Sequence, residues 1–175
     1  DTSVFDLIFS RGTYSFSKDS AKINYQLGYD INVETNRGQR IAEGQKQIGD
    51  YAVFGSMEYR PNSKMVIRPG LRYSYNTAYE TPIIPSLNMK YQWTRHLSSR
   101  VSWGRGFRAP SLKELHFLFV DLNHNILGNQ DLKAENSDNF MLQFAYKRGV
   151  KRGVYNFGLS GFYNSVRNQI SLVLQ

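Results

Sequence analysis

The chain has 175 residues, a net charge of +8 and 41% hydrophobic residues, which fits one domain or one part of a larger one. It has no cysteine, which excludes a disulfide framework, a thiolate zinc site and a cysteine nucleophile. No stretch approaches the roughly 18 apolar residues of a membrane helix, no signal-peptide h-region is visible, and the basic residues form no block that would mark a nucleic-acid surface.

Twelve Tyr, 11 Phe and 14 Gly favour strands and turns over helices. Alternation with a period of two dominates the chain. In the run 22–33, Ile23, Tyr25, Leu27, Tyr29, Ile31 and Val33 share one face, and Asn24, Gln26 and Asp30 share the other. The runs 64–75, 87–94 and 139–147 divide in the same way. Eight strands are predicted, at 3–16, 22–34, 47–60, 64–76, 86–95, 100–106, 137–147 and 153–166. Pro69 donates no ladder hydrogen bond, so a bulge or local break is expected at Pro69-Gly70.

The connections alternate in length. Segments 17–21, 61–63, 96–99 and 148–153 are short, whereas 35–46, 77–84 and 107–136 are longer. An up-and-down meander with loops elaborated at one end has this form, as outer-membrane barrels do. The fold class expected is all-β, an antiparallel up-and-down transmembrane β-barrel segment. A soluble sandwich or barrel shares the periodicity. Tyr51 and Tyr59 share a face eight residues apart, as do Tyr155 and Tyr163. Such a pair rises about 20 Å along a membrane normal, close to the separation of two aromatic girdles. The strands are also long and their polar face is rich in Lys, Arg, Asn and Gln, as a wet or plugged lumen requires.

Two boxes carry a resemblance. The first is Trp103-Gly104-Arg105-Gly106-Phe107-Arg108-Ala109-Pro110-Ser111, with Glu114-Leu115 behind it; the second is Asn129-Gln130-Asp131-Leu132-Lys133-Ala134-Glu135. Together with 48–61 and 67–76 they resemble the TonB-dependent outer-membrane receptors. In that family the second box has prolines where Gln130 and Ala134 stand here. The resemblance implies that residues 1–175 are part of one 22-stranded barrel domain whose plug domain and other strands lie outside them. It implies outer-membrane lipid, the TonB complex (through the plug) and a small nutrient ligand as partners. Phe107, Arg108, Ala109, Pro110, Asn129, Asp131, Leu132 and Glu135 are then structural motif residues. Gly104 and Gly106 are expected to let the strand bend at the extracellular rim.

The long segment 107–136 becomes an extracellular loop and the candidate ligand surface. His116 and His124 are candidate haem contacts, because imidazole ligates iron and haem receptors of this family carry a histidine between the boxes. Asp121, Asn123 and Asn125 are candidate hydrogen-bond donors or acceptors to a ligand, or the Asx-turn residues of the loop itself. Arg68, Arg72 and Lys90 are candidate plug-facing residues, or they pair with Asp30 and Glu58 on neighbouring strands. No resident cofactor, no metal site and no catalytic residue is expected, since no phosphate loop, ligand spacing or nucleophile elbow is present. Haem enters only as a transported ligand, beside ferric siderophore and cobalamin. A self-contained eight-stranded barrel acting as anchor or adhesin, and a soluble β binding module, are the alternatives.

Overall fold

The computed structural model describes residues 3–38, 44–111, 114–115, 118–120 and 125–171. Eight long strands form one antiparallel sheet: β1 (Ser3–Phe16), β2 (Ile23–Gly38), β3 (Gln45–Asn62), β4 (Met65–Asn76), β5 (Ile84–Gln92), β6 (Leu97–Arg108), β9 (Glu135–Val150) and β10 (Gly153–Arg167). Two three-residue strands, β7 (Leu118–Val120) and β8 (Asn125–Leu127), make a hairpin inside the 107–136 segment. The order in the sheet is β1-β2-β3-β4-β5-β6-β9-β10, every neighbour antiparallel. Among the described residues β1 is paired with β2 alone and β10 with β9 alone, so the sheet is open.

Register sorts the side chains onto two faces that differ in chemistry. Ile31, Tyr51 and Tyr75 lie in one cross-strand row, and Leu87, Trp103, Phe140 and Tyr163 in another. These rows form the outer face, where the large apolar side chains are exposed, Leu159 at 72% for example. The inner face carries Asn24, Asp30, Asn36, Ser74 and Asn76, all buried. Among the described residues the buried hydrophobic side chains are Ala52 and Leu115, and Pro110 is fully buried. A water-soluble sheet does the reverse and hides its apolar face. This wall is built for lipid outside and a polar interior inside.

The outer aromatics fall where the eight-residue spacing placed them. Tyr51, Tyr59, Tyr155 and Tyr163 are all exposed on the outer face. Cross-strand pairs tie the aromatic rows together: Tyr51 to Tyr75 at 6.5 Å and Trp103 to Phe140 at 6.3 Å between centroids. Both edge strands depart from the pattern: on β10, Val154, Phe162 and Val166 face inward and are exposed. On β1, Phe5, Leu7 and Phe9 share the inner face with Arg11 at the loop-side end, and all three are exposed.

One expectation holds in part and two are corrected. β4 runs straight through Pro69, and the register of β3 on β4 is the same on both sides of it, Ser56 opposite Gly70 and Tyr59 opposite Ile67. The ladder skips Met57 and Glu58 there, and the register shift falls at Tyr59/Asn62, beside the turn. The ladder is thus interrupted beside the proline, which donates no hydrogen bond, but no bulge forms there. Second, β2 extends to Gly38 and β3 begins at Gln45, well inside the segment read as the loop 35–46. Third, Gly104 and Gly106 do not bend β6, which stays paired with β9 as far as Arg108. Gly106 instead permits close packing, since a Cβ there would overlap the Ser137 hydroxyl oxygen.

Candidate functional site at the loop-side rim

All three longer connections emerge at the same edge of the sheet, because each follows the end of an even-numbered strand in an unbroken meander. At this rim the two sequence boxes meet. Arg108, the last residue of β6, is directly opposite Glu135, the first of β9. Its guanidinium donates to both Glu135 oxygens, at 2.9 and 3.1 Å, and to both Glu114 oxygens, at 3.1 and 3.0 Å.

Ser111 and Glu114 form a capping box: the Ser111 N–H donates to the Glu114 carboxylate at 2.7 Å, and the Glu114 N–H donates to the Ser111 hydroxyl oxygen at 3.3 Å. The S-x-x-E spacing makes the two ends of a single turn satisfy each other. The Asn129 N–H donates to the Glu114 carbonyl at 2.9 Å, and the Asn129 side-chain oxygen accepts from the Asp131 N–H at 2.9 Å. Glu135 also accepts the Ile170 N–H at 2.6 Å. One arginine thus joins the start of the long loop to its end and, through Glu135, to the segment after β10.

Burial pushes the Glu114 carboxyl up, but the Ser111 amide and hydroxyl and the Arg108 guanidinium outweigh it and hold it below its ordinary value of 4.5. A depressed carboxyl pKa stabilises the folded state above the unfolded value, and that contribution is lost as pH falls through the folded one. The loop base is therefore expected to be fully clasped above 4.5 and to loosen progressively below it. A nitroxide at Asp131→Cys should gain mobility as pH falls below 4.5, and unchanged mobility down to about pH 2 would exclude the clasp as the anchor.

The neighbouring loop closes against the same place. The Asn76 side-chain oxygen accepts from the Ala78 and Tyr79 N–H groups, at 2.9 and 3.2 Å. Burial and the nearby Glu114 charge raise the Tyr79 phenol. Asn76 was not among the residues singled out from sequence. Its Asx-turn role was signalled only by an Asn ending an alternating run.

Below the rim, ion pairs line the inner wall. Asp30 accepts from Arg11 at 2.5 Å and from Arg72 at 3.1 Å, and Arg72 reaches Asp50 at 3.5 Å. Arg72 is thus tied within the wall. Replacing Asp30, which is 6% exposed, by alanine should cost about 1–3 kcal/mol in equilibrium unfolding, because two guanidiniums lose their shared acceptor. Further toward the turns, Arg60 and Arg68 share Glu58. Lys90 and Arg100 are directly opposite each other on β5 and β6. Among the described residues neither has an ion-pair partner. All five groups border one recess of about 470 Å³.

His116, His124, Asp121 and Asn123 lie outside the described residues. Asn125 opens β8, its backbone opposite Val120. Phe107, Ala109, Pro110 and Leu132 lie along the chain between or beside the clasp residues. His96 sits at the other edge, its ring nitrogen 3.0 Å from the Lys147 carbonyl, where it fastens the β5–β6 turn to β9.

An open antiparallel meander, lipid-facing outside, polar inside and clasped at one rim, is a section of outer-membrane-type barrel wall. A soluble module, which would bury its apolar face, is not what the structure shows. Residues 3–175 match the family model described as TonB dependent receptor-like, beta-barrel, and the chain belongs to that family. It is 31% identical over 171 residues to hemoglobin-haptoglobin utilization protein B of Neisseria meningitidis serogroup A / serotype 4A, covering 95% of this chain and 19% of that protein. It is 23% identical to the ferrienterobactin receptor of Escherichia coli strain K12, covering 69% of this chain and 17% of that one. The siderophore receptor PirA from Pseudomonas aeruginosa has the same fold, with a TM-score of 0.82 at 20% identity, over 94% of this chain and 32% of that one. The chain therefore spans about a fifth of the length of the curated relatives it matches.

Proposed function

We propose that the whole protein is an outer-membrane receptor that imports an iron carrier by energy coupled through TonB, with this chain as one section of its wall and rim. The observation that carries this reading is the inverted wall, with exposed apolar residues outside and buried Asp30, Asn36 and Asn76 inside. In this reading the remaining strands and a plug lie elsewhere in the protein, and the segment between the two boxes supplies ligand contacts. The ligand class in this reading is iron held by haem or by a siderophore; the similar proteins are named for hemoglobin-haptoglobin utilization, as a ferrienterobactin receptor and as a siderophore receptor. The exposed inner stripe of Phe5, Leu7 and Phe9 near the mouth supports a partly apolar ligand. In this reading Asp121, Asn123, His124, Asn125 and His116 contact it. Lys90 and Arg100, like charges directly opposite each other, are unfavourable without an anion. Acidic groups of the plug would supply it, with Arg68 at the edge of the same recess.

The test is growth of cells that depend on the full receptor for iron, supplied as haemoglobin, haem or a ferric catecholate. Growth on one source that is abolished when energy coupling is removed is the expected result. His116→Ala with His124→Ala should reduce haem-dependent growth and leave siderophore-dependent growth intact. Growth on none of the sources, or growth that ignores coupling, overturns the reading. A charge reversal at Lys90 and Arg100 should disturb plug seating, read as antibiotic leakage, more than ligand affinity. Loss of affinity without leakage would assign the pair to the ligand instead.

A further inference from the structure

We infer that Arg105 and Arg167, held by Asp138 on the outer face of the wall, form a binding site for the phosphate of a lipid headgroup in the outer leaflet. The inference goes beyond ligand uptake and rests on the membrane-barrel reading alone.

The alternation that places Trp103, Phe140 and Tyr163 toward lipid places Arg105 and Asp138 on the same outer face, two residues nearer the loops. Arg167 follows Tyr163 by four residues on the same face of β10. Two residues of tilted strand rise about 5 Å along the membrane normal. Arg105 therefore stands about 5 Å above the aromatic row and the Arg167 backbone about 10 Å above it, and both side chains meet at Asp138, where hydrocarbon gives way to headgroups. Aromatic girdles mark that boundary, and the apolar band below it is the established lipid-facing surface of the wall.

The charge there is not balanced. Two guanidiniums share one carboxylate, which leaves a net positive charge. Each makes a single bond to Asp138, both at 3.4 Å, at the long end for a hydrogen bond. Arg108 on the inner face makes four shorter ones. Arg105 and Arg167 stay 41% and 72% exposed, while Asp138 is 19% exposed. The carboxylate orients both forks and most of their N–H donors remain unused. A planar fork of donors suits a phosphate oxygen pair, and headgroup phosphates are the anions present at this depth.

The full-length receptor in detergent is mixed with bis-phosphorylated lipid A, with its dephosphorylated form, and with inorganic phosphate, and retained species are counted by native mass spectrometry. The phosphorylated lipid is expected to be retained about tenfold better than the dephosphorylated one, as suits a charge-assisted contact. R105Q with R167Q should remove that preference. D138N, which frees both guanidiniums and retains the arginines, should strengthen it, so a folding failure of the double variant leaves the site testable. Equal retention of both lipids, a double variant that keeps the preference, or a D138N variant that loses it overturns the site. Occupancy by inorganic phosphate equal to that by the lipid assigns it to a free anion and also overturns it. A receptor that stays in solution without detergent would instead overturn the membrane-barrel reading itself.

Discussion

Leu71→Arg is expected to destabilise the assembled barrel by about 2–4 kcal/mol, the cost of a cation on a lipid-facing strand at mid-bilayer. Leu71 is opposite Gly55, which lies midway between Tyr51 and Tyr59, so it sits halfway between the two aromatic levels. It is 54% exposed and has no acidic neighbour in its row. On a water-facing surface the same change would shift stability by no more than about 0.5 kcal/mol. Ser56→Lys is the matched control, because Ser56 is one residue from Gly55, exposed, and on the inner face. The measurement is reversible unfolding of the receptor in lipid vesicles by guanidinium. A large loss for Leu71→Arg with little loss for Ser56→Lys fixes which face meets lipid. Equal, small losses would show that both faces meet water, and the inverted wall would have to be abandoned.

The strands were legible in the sequence wherever the two faces meet different media. Inside the bilayer, Ile23 through Val33 alternate strictly because one side meets lipid and the other a polar interior. Above it the alternation fades. Thr35, Asn36 and Arg37 are polar in succession, yet they remain in β2, because backbone pairing with Gln45–Gln47 continues. Once both faces are wet, periodicity carries no information about pairing, which is why β2, β3, β6 and β9 all end later or begin earlier than expected. The β7–β8 hairpin was missed for another reason: three-residue strands are too short for any period to register. The rim clasp was half legible. Both boxes could be quoted from the sequence, but nothing in their spacing said that Arg108 of one reaches Glu135 of the other, 27 residues on. Only the β6–β9 register brings them opposite each other. The outer pair Arg105 and Arg167 was hidden likewise, since it lies on two strands separated by β9.

Arg108→Gln should release the long loop while leaving the wall intact. Its removal strips the counter-charge from Glu114 and Glu135 at once and cuts the tie between β6, the capping-box turn and β9. Hydrogen bonds to charged groups contribute about 1.5–3 kcal/mol each when well desolvated. Arg108 is 46% exposed, so solvent screening reduces the net loss to about 1–2 kcal/mol. That corresponds to roughly a tenfold rise in local opening, read as faster amide exchange at Ser111, Glu114 and Leu115 with no change in the centres of β6 and β9. Arg105→Gln is the control three residues earlier, on the outer face, and should leave loop exchange unaltered. In a double-mutant cycle, Arg108→Gln and Glu135→Gln should lose less together than the sum of the single changes, because each already breaks the same contact. Strict additivity would mean that the pair is an incidental surface contact, and that the buried Pro110 and Leu115 alone hold the loop to the rim. The ligand surface between the boxes depends on this outcome. A loop anchored by one charged node can be ordered by its ligand at small entropic cost, whereas a loop that opens freely must be ordered anew at each binding event, which weakens affinity by the same roughly tenfold factor.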